Sequence, residues 1–276
     1  MTTPTISRTV PRTVLRTIPR TVLRSEWIKL RSVRSTWITL AAAVVLGLGV
    51  GLLDVSSITG HWATMSAADR ANFDPVGDPL SGFQFGELAL GALGVLAIST
   101  EYATGMIRAT FTATPRRGTV YAAKCVVLGL FTLAASELCA FAAFLLGQAI
   151  LSSQHLNVGL GAPGVLRAVA CAGLYLAVVA MVGFGLGAII RHAAGAMAAM
   201  FALVFLAYPA ARAVEGYSLL PDHLLLVNAA STLATTSPPT GPHADRAPSL
   251  TFAFVDLALY LIVFLGVGAW RATRDA

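Results

Sequence analysis

The chain has 276 residues, of which 56% are hydrophobic and 12% charged, and its mean hydropathy is +0.75. Soluble domains carry about 25% charged residues, so this composition lacks the polar cover of a water-exposed surface and leaves no room for a full soluble catalytic domain. The net charge of +6 comes from cations set beside apolar runs, as expected of residues facing an anionic leaflet rather than nucleic acid.

Arg8–Leu23 is a duplicated octapeptide, RTVPRTVL then RTIPRTVL, with arginine at every fourth position. Pro11 and Pro19 each remove a helical hydrogen bond, so residues 1–23 read as a basic, solvated cytoplasmic arm and residues 24–276 as the membrane domain. From Leu23 the pattern changes. Leu23, Trp27 and Leu30 follow helical spacing, with Arg24, Glu26, Lys29, Arg31 and Arg34 between or beyond them. This predicts an amphipathic helix on the inner leaflet, tryptophan at the headgroups, leading into the first span.

A spanning helix needs about 20 mostly apolar residues. Six stretches qualify, near Thr36–Leu53, Phe83–Thr100, Tyr121–Leu146, Val165–Ile190, Ala193–Tyr208 and Leu250–Trp270. The expected fold is an all-α integral membrane protein with six transmembrane helices in the lipid bilayer. Leu219–Val227 is too short to span and is placed in a loop or at the interface. With the N-terminus inside, the inner segments hold Arg8, Arg12, Arg16, Arg20, Arg24, Lys29, Arg31, Arg34, Arg108, Arg116, Arg117, Lys124, Arg191, Arg271 and Arg274. The outer segments keep Arg70, Arg167, Arg212 and Arg246, and most of the aspartates. The asymmetry predicts that both termini are cytoplasmic. The first span exceeds a cleavable h-region and is expected to stay as a signal anchor.

Enzyme chemistry is missing from the motifs. The two lysines lie in Ile-Lys-Leu and Ala-Lys-Cys, so there is no P-loop, and neither H-E-x-x-H nor G-x-S-x-G occurs. Cys125, Cys139 and Cys171 sit in apolar stretches without metal-ligand spacing, and none of the five histidines lies mid-span. No catalytic, cofactor or metal site is expected. The preference for arginine over lysine is open to a compositional explanation.

The most informative segment is the inner loop Ser99–Lys124. Glu101 starts it. Met106, Ile107 and Phe111 can line one face of a short helix that Pro115 stops, and Arg116 and Arg117 follow at its negative end. Such a helix, held between two spans, suits a helix-in-groove contact with a soluble partner.

Glu101-x-x-x-Gly105-Met106-Ile107, then Thr114-Pro115-x-Arg117, then Lys124, resembles the loop signature of ABC-2 type transporter permeases. Ser25–Ser35 is similar to the interfacial helix of their actinobacterial members, and Gly185–Ala196 to the tight turn between spans four and five. The resemblance implies the permease subunit of an ATP-driven exporter in the bacterial plasma membrane. A separate ABC ATP-binding subunit would hold ATP and Mg, and the membrane part would be a homodimer or a heterodimer with a second permease. It further implies ATPase coupling through Glu101, Gly105, Met106, Ile107, Arg108, Phe111, Pro115, Arg116 and Arg117, and through the helix of Trp27, Lys29, Leu30, Arg31 and Arg34.

Three carboxylates fall inside spans. Glu137 is near mid-membrane and reads equally as a pathway group or as a hydrogen-bonded fastener between helices. Glu87 and Asp256 lie near the outer interface, where water is expected to reach them. Gly47-x-x-x-Gly51 and Gly183-x-x-x-Gly187 suit close packing within the chain. A secondary transporter using Glu137 and Asp256, or a membrane scaffold or sensor, remains an alternative reading of the residues alone.

Overall fold

Proline at position 19 has no N–H to give, and a helix starts directly after it. In the computed structural model, which describes residues 19–106, 117–213, 225–236 and 248–274, α1 spans Arg20–Ser32 and α2 Arg34–His61. Val33 between them is extended, and the Trp37 indole N–H reaches back to the Arg31 carbonyl at 2.9 Å. The bend therefore satisfies one of the carbonyls that a helix end leaves open. Trp27 and Trp37 both meet the Phe131 ring edge-on, at 6.0 and 6.1 Å, and so hold α1 against a later helix.

The chain continues through α3 (Ala67–Ala71), α4 (Phe83–Ala103), α5 (Arg117–Leu151), α6 (Val165–Ile190) and α7 (Ala193–Phe201). A π-helical stretch, Ala202–Leu206, joins α7 to α8 (Ala207–Ala213), and α9 (Leu226–Ala234) and α10 (Leu250–Arg274) complete the described helices. Five helical segments are long and apolar enough to cross a membrane: Arg34–Thr64, Asp78–Ala103, Arg117–Gln154, Val165–Ile190 and Leu250–Arg274. These correspond to five of the six expected spans. The sixth, Ala193–Tyr208, forms a shorter apolar helix, Ala193–Leu206, whose last turn widens to the π form.

Helix α6 sits at the centre and is buried from Tyr175 through Ala188, because α4, α5 and α10 all pack on it. Small residues make that possible. Gly94 faces the Ala180 carbonyl and Gly183 faces the Gly91 backbone, so a methyl group at either position would collide with main chain rather than with a movable side chain. The glycine spacing thus serves packing inside the chain. Most of the run Leu219–Val227 lies outside the described residues; α9 takes up its last two and buries Leu226, Ala229 and Leu233, packing on α6 and α10.

Helices α2, α4, α5 and α6 alternate in direction, and α10 ends beside the end of α6. At one end, Ser81 Oγ donates to Asp54 Oδ2 at 3.0 Å and the Gln148 amide donates to the Pro75 carbonyl at 2.5 Å. There Arg167 also reaches the Leu233 and Thr235 carbonyls at the C-terminus of α9, at 3.3 and 2.9 Å, where a cation is favoured. At the other end lie α1, the last turn of α4, the first turns of α5 and the α6–α7 link. Arg191 stacks over Tyr102 there, 5.2 Å from the ring centroid, and donates to the Arg271 carbonyl at 2.9 Å. The link itself is tight: Arg191 is left-handed at φ 62° and His192 Nδ1 accepts the Gly195 N–H at 3.3 Å.

Candidate functional site: a buried ion cluster at the α1 end

Glu101 does not begin a loop helix. It lies in the last turns of α4, one turn before the chain leaves the helix at Thr104, and is 6% exposed. A carboxylate held out of water is costly unless it is paired, and here three segments converge to supply the pairing. Lys124, on the second turn of α5, places Nζ 2.5 Å from Glu101 Oε1 and 2.5 Å from Glu26 Oε2. Lys29, one turn along α1 from Glu26, lies 2.9 Å from Glu26 Oε1 and 3.5 Å from Glu101 Oε1. Burial by itself would lower the Lys29 pKa. The hydrogen bond to Glu26 and the charge of Glu101 outweigh burial and hold the ammonium above its ordinary value.

Two of these four residues have no place in the coupling set read from the sequence. Glu26 reads there as part of the polar face of an amphipathic helix, yet it is the most buried residue of α1 at 4% exposure, while Trp27 and Ile28 face outward. A signal was available: Glu26 is the single acid before Asp54, within a stretch dense in arginine. Lys124 is expected to anchor a span at the interface and instead is 7% exposed between two carboxylates. Both lysines of the chain belong to this one cluster. Chemistry accounts for that better than composition does. An ammonium is a compact point charge that can bridge two carboxylates in little space, whereas a guanidinium needs a planar fork of acceptors.

The remaining sequence-derived residues divide around the cluster. Gly105, immediately beyond α4, adopts φ +70°, the left-handed form that ends a helix. Met106 is exposed and lines a cavity beside the cluster, and Arg117 begins α5. Leu30 packs toward the core, and Arg31 and Arg34 are exposed. Ile107, Arg108, Phe111, Pro115 and Arg116 lie outside the described residues.

The intramembrane carboxylates form no common site with the cluster. Water does not reach Glu87 or Asp256 as expected, since they are only 2% and 1% exposed. Glu87 accepts a hydrogen bond from the Tyr175 hydroxyl of α6 at 2.5 Å. Both Asp256 oxygens are buried without a hydrogen-bond partner among the described residues. Glu137 is half-buried, its carboxyl packed where Gly173 leaves room on α6. Among the described residues it makes no hydrogen bond of the kind a hydrogen-bonded fastener between helices requires. The cysteines carry no disulfide: Cys139 and Cys171 are buried and Cys125 partly so.

Five helices long and apolar enough to cross a membrane, the central one buried by the other long helices through glycine contacts, describe a multi-pass membrane protein. The family described as ABC-2 family transporter protein matches residues 22–209, from within α1 to α8, and the chain belongs to that family. All three motif segments fall inside the match, and α9 and α10 lie beyond it. No curated protein matches the sequence.

Proposed function

We propose that this chain is the permease subunit of an ATP-driven exporter of the bacterial plasma membrane, coupled to a separate ATP-binding subunit through α1 and the loop between α4 and α5. Six helical segments cross the bilayer, with α7, the π stretch and α8 together as the fifth, and both termini are cytoplasmic. The gathering of Lys29, Arg31, Arg34, Arg117, Lys124, Arg191 and Arg271 at the α1 end supports that orientation, and the shared direction of α6 and α10 supports a crossing between them. Two copies, or this chain and a second permease, form the pathway, and ATP with its Mg stays on the partner.

The observation that carries the reading is the triple joint of Glu26, Lys124 and Glu101. It ties the lead-in helix to both helices that flank the loop. A displacement of the loop therefore reaches α1, α4 and α5 together rather than being absorbed by a flexible connection. Met106, Ile107 and Phe111 supply the apolar contact with the partner, and Arg108, Arg116 and Arg117 its charge complementarity. Glu101 acts from inside, by holding the loop's root to α1.

Co-purification with the ATP-binding subunit tests this. Phe111→Ala should lower recovery more than Arg108→Ala, since a buried apolar side chain is worth about 1.5–3 kcal/mol and an exposed charge about 0–1 kcal/mol. Gly105→Pro should be worse than either, because proline cannot adopt the positive φ found there. Equal recovery for wild type and all three variants would remove the loop from the coupling path.

A further inference from the structure

Between Cys125 and Leu151, helix α5 carries a single charged side chain, Glu137. It lies on the outward side of the bundle. Leu130, Ala134 and Leu138 around it are exposed, the two leucines at 65% and 73%, and Phe141 one turn on is half-buried. Positions 130, 134, 137 and 141 recur at helical spacing and form one stripe. On the inner side the Glu137 carboxyl rests against Gly173 of α6, and it has no hydrogen bond among the described residues. Arg167, in the first turn of α6, is committed to the Leu233 and Thr235 carbonyls. Lipid supplies no partner either. Glu137 stands about 18 Å along the helix from Cys125, in a hydrocarbon core about 30 Å thick, so headgroups are distant and acyl chains have neither donor nor acceptor. Glu87 and Asp256, by contrast, are sealed within the chain at 2% and 1% exposure. A carboxyl in hydrocarbon is costly and is normally turned toward a protein interior. For Glu137 the outer half of that interior has to come from another chain.

We propose that the Glu137 stripe of α5 is an interface with a second copy of this chain, the two Glu137 carboxyls meeting across a two-fold axis. This rests on the assembly of two copies proposed above and names the surface through which they meet. A two-fold axis brings like residues together, and a carboxyl is one of the few groups that can satisfy its own copy. Its neutral form donates through the O–H and accepts through the C=O, so two of them pair reciprocally with no counter-ion. Ala134, one turn away, is small enough to let the helices approach closely. The stripe holds no other charge to repel its copy.

The test uses the full chain, purified alone and labelled at its N-terminus, in lipid vesicles of decreasing protein density. Single-molecule photobleaching counts the copies in each complex. Wild type should pass from two copies to one as it is diluted. Glu137→Leu should move that midpoint to a roughly tenfold higher density, the worth of a hydrogen-bonded contact between membrane helices. Glu137→Gln should stay close to wild type, because an amide also donates and accepts. Oxidative cross-linking gives a second measure. Ala134→Cys should form a disulfide between chains, whereas Ile262→Cys, at a site 70% exposed on α10, should not. Wild type sets the background from Cys125, Cys139 and Cys171. A dimeric wild type whose association is undiminished in Glu137→Leu, or that cross-links from Ile262→Cys and not from Ala134→Cys, would overturn this interface and leave the two-copy assembly standing. A wild-type chain that is monomeric at every density would overturn both the interface and the assembly of identical copies.

Discussion

At the α1 end, Glu26, Lys29, Glu101 and Lys124 are drawn from three separate segments and neutralise one another. Toward the opposite end, Asp256 has no partner among the described residues and Glu87 has only the Tyr175 hydroxyl. Both regions bury carboxylates, but only the first surrounds them with counter-charge. Removing one member of a mutually paired set strands the others, while an unpartnered carboxyl has no dependants to strand. The same residue type is thus a joint in one place and a local burden in the other, and substitution should separate the two cases.

The largest effect belongs to the joint. Lys124→Met should destabilise the chain by about 3–5 kcal/mol, because it leaves two buried carboxylates to share the half-exposed Lys29 alone. Thermal unfolding in nanodiscs measures this, and the pairing of Lys124 with Glu26 can be isolated by a double-mutant cycle with Glu26→Gln, in which the second substitution should cost less than it does alone. Additive costs would mean the pairing is geometric only. Next comes the packing that lets α4 and α6 approach. Gly183→Ala should cost about 1–3 kcal/mol by the same measurement, since the new methyl meets the Gly91 main chain and neither helix can yield without repacking.

The contrast with the other end then sharpens. Asp256→Asn should leave stability within about 1 kcal/mol of wild type, or raise it, because no counter-ion is lost. A loss as large as that of Lys124→Met would show that Asp256 has a partner in the native membrane and would erase the distinction drawn above. Glu87→Gln keeps an oxygen for Tyr175 and should cost about 1 kcal/mol.

The smallest effect concerns pH. The Lys29 pKa is raised on folding, so its contribution is complete below the unfolded value and is lost as pH rises through the folded one. The stability difference between wild type and Lys29→Gln should therefore stay constant through the neutral range and shrink only at alkaline pH. A difference that varies between about pH 6 and pH 8 would contradict that assignment.

Much of this fold is legible in the sequence for a simple physical reason. In a bilayer every backbone group must be satisfied within its own segment, so a run of about 20 apolar residues is by itself a helix. Leu250–Trp270 needs no neighbour to declare what it is. The tight turn at Arg191–His192 and the family motifs are equally local. What the sequence could not supply was which faces meet. Glu26 follows the polar rhythm of α1 and would be solvated in isolation; it is buried only because Lys124, far along the chain, arrives beside it. Glu101 looks like the start of a loop because its neighbours in sequence are polar, yet its environment is set by α1 and α5. Asp256 lies near the end of a span, where water is expected, but α6 and α9 pack over the start of α10 and close it off. Hydropathy is a property of a segment and can be summed along it, and so the spans were fixed one at a time. The pairing of a buried charge is a property of several segments at once, and only their packing decided it.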